Sequence, residues 1–195
     1  MGRQRSLGRY RLIDLSLWSA ILLVFETITL RAAVKWFPNE PFWVSVVPAV
    51  TAIVYMRWGP WGVFHAVAGG VLTSFLIGLP ARGYAIYAVG NALSLTAIGI
   101  IKLAGRKTLQ GDALKSMLYA MSVFLLMEAG KVLMSLILGW SLKQTIGTFA
   151  PEIVTLLFTV VIVWIARRLD GVLEYQQEYV KRVQRELENE RGDMQ

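Results

Sequence analysis

Residues 113–138 read ALKSMLYAMSVFLLMEAGKVLMSLIL, a run whose only charges beyond its first turn are Glu128 and Lys131. A helix of that length crosses about 30 Å of hydrocarbon at about 1.5 Å per residue. It is apolar on every face, so a surface helix in water does not account for it. Comparable runs lie at 12–33, 42–57, 61–79, 83–104 and 151–167. The breaks between them carry Pro38 and Pro41, Gly59-Pro60, Pro80 with Gly83, Gly105 with Gly111 and Asp112, and Gly147 with Pro151. These are residues that stop or turn a helix. Pro48, inside the shortest run, predicts a kink there. The pattern predicts an all-α integral membrane bundle of six transmembrane helices over residues 1–167.

Composition supports this. Of 195 residues 55% are hydrophobic and 17% charged, against about a quarter charged in soluble domains. The net charge of +7 suits nucleic acid in principle, but the cations gather at the ends of apolar runs, where membrane topology explains them. No nucleic-acid partner is expected; the lipid bilayer is. Arg3, Arg5, Arg9, Arg11, Arg57, Lys102, Arg106, Lys107, Lys115 and the six cations from Arg167 to Arg191 fall on one side. Arg31, Lys35, Arg82 and Lys143 fall on the other. Fifteen against four predicts a multi-pass cell-membrane protein with both termini cytoplasmic. The first run is long for a signal peptide, contains Asp14 and Glu26 and lacks a clear cleavage site, so it reads as a span. With no cysteine, disulfides and thiolate metal sites are excluded.

After Trp164-Ile165-Ala166 the chain becomes highly charged. Leu169, Val172, Gln176, Tyr179 and Val183 recur at spacings of three and four. Residues 168–195 are therefore expected to extend the last span as a cytosolic helical tail, solvated or in contact with a partner.

Ionisable groups inside a bilayer cost about 2.5–3.5 kcal/mol each at a helix centre on insertion scales, so each needs a reason. Glu26 and Arg31 on the first run, Asn91 on the fourth, Glu128 and Lys131 on the fifth and Glu152 at the start of the sixth all fall in the outer half. Glu128 and Lys131, three residues apart, share a helix face. They are either a neutralised pair stabilising the bundle or part of a ligand-binding pocket open to the outside. The depth shared with Glu26, Asn91 and Glu152 favours the pocket. Trp36, Phe37, Phe42, Trp43, Tyr84, Tyr87, Trp140 and Phe149 lie at the same level. They form an interfacial belt, and some are candidates to wall the pocket.

His65, the only histidine, is expected to hydrogen-bond within the bundle, and no second ligand at metal spacing accompanies it. Ser16-x-x-x-Ala20 on the first run, and Ala66, Gly69, Gly70 and Ser74 on the third, are small-residue surfaces that let helices approach closely. No nucleotide-binding loop, zinc-protease motif or nucleophile elbow is present, since Gly105-Arg106-Lys107-Thr108 only echoes a P-loop. No catalytic residues, cofactor or metal are therefore expected.

Pro48-Ala49-Val50 through Tyr55, Trp58-Gly59-Pro60-Trp61-Gly62, Gly69-Gly70 and Tyr87-Ala88-Val89-Gly90-Asn91 resemble helices two to four of the substrate-binding S components of energy-coupling factor (ECF) vitamin transporters. The resemblance extends over most of the chain. It implies a six-helix bundle that captures a vitamin or related micronutrient, with a membrane scaffold subunit and two ATPase subunits as partners. It implies a pocket near the outer side, where Asn91, Glu128, Lys131 and Glu152 lie. The family docks its scaffold through an A-x-x-x-A motif on the first helix, where this chain has Ser16 and Ala20. The tail is also longer than the family's. A membrane assembly scaffold recruiting partners through its cytosolic helix is the alternative; its intramembrane charges would pair internally.

Overall fold

The computed structural model describes residues 7–37, 43–147 and 152–192. Among them the chain is helical, with turns and no strand. The helices are α1 (Leu7–Trp36), α2 (Val47–Trp58), α3 (Gly62–Leu76), α4 (Ala81–Asn91), α5 (Ala97–Ala104), α6 (Arg106–Gly111), α7 (Ala113–Ile137), α8 (Leu142–Gly147), α9 (Ile153–Arg168) and α10 (Gln176–Gly192). A 3₁₀ stretch, Ala92–Thr96, joins α4 and α5 into one 24-residue rod.

Among the described residues three elements are long and apolar enough to cross a membrane: α1, the α4–α5 rod and α7. On α1 and α7 the mid-helix charges face inward and large apolar side chains face outward. The inner face of α1 carries Asp14 and Glu26, while Leu12, Leu17, Leu23, Phe25 and Ile28 face outward. The inner face of α7 carries Ser116, Glu128, Lys131 and Ser135, while Leu118, Leu125, Leu133 and Leu136 face outward. Such surfaces suit hydrocarbon outside and internal partners for every polar group.

The remaining core helices are shorter than the runs suggested. At 12 residues α2 rises only about 18 Å, and every one of its residues is buried. It forms the axis of the bundle, contacting α1, α3, α7 and α9. Pro48 does not kink it. It occupies the first turn, where its missing N–H costs nothing and its fixed φ suits the helix. Residues 43–46 approach as non-helical chain instead.

Close approach depends on glycines. Gly59, at φ 62°, makes the turn between α2 and α3, and a Cβ on Gly62 would sit 2.5 Å from the Tyr55 ring. A side chain on Gly69 would meet Val47 at 2.5 Å, and one on Gly70 would overlap the Tyr87 backbone. On α7, Asp112 caps the first turn by accepting from the Lys115 N–H at 3.2 Å, which holds its carboxyl below the usual range.

The tail departs from expectation. Helix α9 stops at Arg168, and Gly171, at φ 75°, turns the chain before α10. Helix α10 therefore returns to touch α1 and α2 rather than extending the last span. Arg57 on α2 anchors the turn. Its Nη1 donates to the Gly171 and Val172 carbonyls at 2.8 and 2.9 Å, and Nε and Nη2 bind Asp14 of α1 at 2.9 and 2.5 Å. The Trp58 indole donates to the same carboxylate at 2.6 Å, and Tyr10 reaches Gln176 at 2.8 Å.

Candidate functional site

At the end of the bundle opposite α10, ionisable side chains of α7 and of the N-cap of α9 meet. Lys131 is 6% exposed and Glu128 and Glu152 are each 3% exposed. The Lys131 Nζ lies 2.5 Å from Glu152 Oε2, to which it donates, and 2.5 Å from Glu128 Oε1. The Glu128 contact falls outside hydrogen-bond geometry and is ionic. Tyr87 of α4 completes the set: its hydroxyl donates to Glu152 Oε1 at 2.9 Å, and its ring centroid lies 4.7 Å from the Lys131 Nζ. An ammonium over an aromatic face is attracted by the ring quadrupole.

Local sequence explains the placement. Glu128 and Lys131 share a face of α7 through their i, i+3 spacing. Glu152 sits at the N-cap of α9, where a carboxylate faces the positive end of the helix. Gly130 and Gly90 bring α7 and α4 backbone to backbone, since a Cβ on Gly90 would lie 2.7 Å from the Lys131 nitrogen. Tyr87 and Asn91, one turn apart on α4, then reach the cluster.

Glu26 is fully buried nearby. Its carboxylate accepts from the Ser45 hydroxyl at 2.9 and 3.0 Å, the Val46 N–H at 2.8 Å and the Thr73 hydroxyl at 2.6 Å. It thereby ties α1 to the entrance of α2 and the end of α3. Glu26 has no cation beside it among the described residues, only neutral donors.

Ser45, Thr73, Asn91, Glu128, Lys131 and Glu152 border a cavity of about 10 Å³. A water needs about 10–15 Å³ and a drug-sized ligand about 300–1,000 Å³. The hollow therefore holds one water at most, not the open pocket expected from the sequence. Asn91 lines it, but its amide donates to the Ala66 carbonyl at 3.2 Å.

The other expected residues divide. Arg31 is exposed at the end of α1 and takes no part. Trp36, 71% exposed, and Trp43 line a separate apolar groove of about 390 Å³ with Phe37 and Phe158. Trp140 and Tyr84 are half-buried and do not border the polar cavity. Phe42 and Phe149 lie outside the described residues. Ser16 and Ala20 are exposed on α1 rather than packed within the chain. His65 is buried, its Nε2 3.2 Å from both the Ser19 hydroxyl and the Leu15 carbonyl.

Sequence reasoning missed two things. Ser45 and Thr73 are the partners of Glu26, and neither stands out among the hydroxyl residues. Asp14 and Arg57 form a second buried ion pair; Arg57 served only as a topological charge, and its pairing with an acid 43 residues away has no local signature. No protein-family model, curated protein or solved structure matches the chain.

Proposed function

We propose that the chain is a membrane-embedded subunit that binds a small polar solute, in the manner of the S components of ECF transporters, and that binding opens its closely packed polar cluster. The observation that carries the reading is the imbalance of the buried cluster: two carboxylates, Glu128 and Glu152, share one ammonium, Lys131, and a third, Glu26, is buried nearby on neutral donors alone. A structural ion pair needs one carboxylate per cation, and burying more costs several kcal/mol per ion. The surplus suits a solute with a cationic group, which would meet carboxylates and the Tyr87 ring as Lys131 separates from them. As packed, Lys131 satisfies both Glu128 and Glu152 around a cavity of about 10 Å³.

In this reading the six apolar runs each cross the membrane and the basic end faces the cytoplasm, as the fifteen-to-four cation asymmetry supports. A membrane scaffold subunit would dock on exposed Ser16 and Ala20, two ATPase subunits would supply energy, and a vitamin or related micronutrient would be the cargo. Native mass spectrometry of the purified chain, with and without candidate vitamins, tests this. A stoichiometric adduct that disappears in Glu128→Gln supports the proposal, whereas a bare chain with every candidate sinks it.

The second reading is a membrane assembly scaffold. It draws on the internal pairing of Lys131 with Glu128 and Glu152, and on the docking of α10 against the basic end. If it holds, removing residues 170–195 abolishes association with a protein partner, and no solute is found in the intact chain.

A further inference from the structure

Helices α6 and α10 enclose a groove of about 330 Å³ at the basic end. Among the described side chains five cations line it, Arg106, Lys107, Lys181, Arg182 and Arg185, against two carboxylates, Glu174 and Glu178. One carboxylate is already used, since Glu174 pairs with Arg182 at 2.9 Å. Arg106 is held in place, its guanidinium 3.9 Å from the Tyr175 ring centroid and its Nε donating to the Met56 carbonyl at 3.3 Å. Lys107, Lys181 and Arg185 are exposed and have no ion-pair partner among the described side chains.

Like charges held in one concavity repel each other unless an anion sits among them. The positions of nearby apolar residues indicate where that anion comes from. Leu103, 91% exposed, lies three residues before Arg106, and Leu114, 65% exposed, begins α7 just after α6. The groove thus opens beside surface suited to hydrocarbon, where the α4–α5 rod ends and α7 begins, which is the headgroup level of a bilayer that these two elements cross. Cation pockets at this depth recognise anionic headgroups. We propose that the groove between α6 and α10 binds the phosphate of an anionic phospholipid, holding α10 against the bundle. This inference does not depend on the solute-binding reading.

The test uses the full chain, delipidated in detergent and titrated with phosphatidylglycerol or phosphatidylcholine, with bound lipid counted by native mass spectrometry. The wild type should prefer phosphatidylglycerol by about tenfold, on the scale of basic residues at a membrane surface. The triple variant Lys107→Gln, Lys181→Gln, Arg185→Gln should lose that preference. A charge-matched control at the same end but outside the groove, Arg11→Gln, Lys102→Gln, Lys115→Gln, should keep it. Helicity by circular dichroism reports folding, and the single variant Lys181→Glu should shift the preference in the same direction should the triple variant not fold. Equal loss in triple variant and control would reduce the effect to a general field and overturn the proposal, as would no loss in either. Inorganic phosphate that binds with the same variant dependence, while phosphatidylglycerol shows no preference, would assign the groove to a free anion and overturn the lipid assignment.

Discussion

Gly130 of α7 stands against the carbonyl oxygen of Gly90 on α4, so closely that a Cβ on Gly130 would overlap it. This backbone contact sets the height at which Lys131, the next residue, meets Tyr87 and Glu152. Ala is normally better than Gly inside a helix by about 1 kcal/mol, but here the added methyl must push α4 from α7. Gly130→Ala is expected to destabilise the chain by about 1–3 kcal/mol, read as a lower unfolding midpoint in detergent. Gly99→Ala, where nothing lies within 4 Å, should be neutral or stabilising. Equal behaviour of the two variants would remove the crossing as a determinant of the site.

Lys131→Met leaves Glu128 and Glu152 buried without their cation. Breaking such a set costs about 3–5 kcal/mol, so this variant should be the least stable of the cluster substitutions. Glu128→Gln, which keeps the Lys131–Glu152 pair, should lose much less. Thermal unfolding followed by tryptophan fluorescence ranks the two, and the reverse order would contradict the assigned geometry.

Glu26 acts through acceptors, not charge pairing. Glu26→Ala strands the Ser45, Val46 and Thr73 donors in the core, at about 1–3 kcal/mol for each unsatisfied group. Glu26→Gln keeps one carbonyl acceptor and should recover part of that loss. Hydrogen exchange at Val46 is the sharpest readout: protection should fall furthest in the alanine variant.

Arg57 joins the bundle to the tail through the carbonyls of Gly171 and Val172. In Arg57→Met the turn before α10 loses its anchor, and Asp14 keeps only the Trp58 indole. Limited trypsin digestion should then cut after Arg167 or Arg168 faster than in the wild type. An unchanged cleavage rate would mean that α10 is held by other contacts.

Topology can be read directly because the chain has no cysteine. Lys143→Cys should react with an impermeant maleimide in intact cells, and Lys181→Cys only after permeabilisation. Labelling of both from one side would refute the six-span arrangement.

Much of the helix layout was legible because apolar runs and Pro or Gly breaks are local signals. The start of α7 at Ala113 and the end of the α4–α5 rod at Ala104 coincide with the sequence reading. Pro48 was misplaced because a proline marks a first turn as readily as a kink, and only packing against Glu26 through Ser45 and Val46 tells which. The tail misled for a similar reason: spacings of three and four survive across Gly171, so periodicity does not reveal that the helix is interrupted. Counting depth along each run placed Glu26, Asn91, Glu128, Lys131 and Glu152 at one level. It was blind to rotation about each helix axis, which turns Trp36 from the polar cavity, and to the non-helical course of residues 43–46, which places Trp43 in the apolar groove.

An all-helical chain with charges sunk in apolar helices follows from the order of residues, because backbone hydrogen bonding and the cost of exposing apolar surface act locally along the chain. Whether those charges face an open hollow or one another depends on how closely the helices approach. That distance is set where glycines from different helices touch, Gly90 against Gly130 above all. Here the approach is tight, and Lys131 closes onto two carboxylates around a space of about 10 Å³.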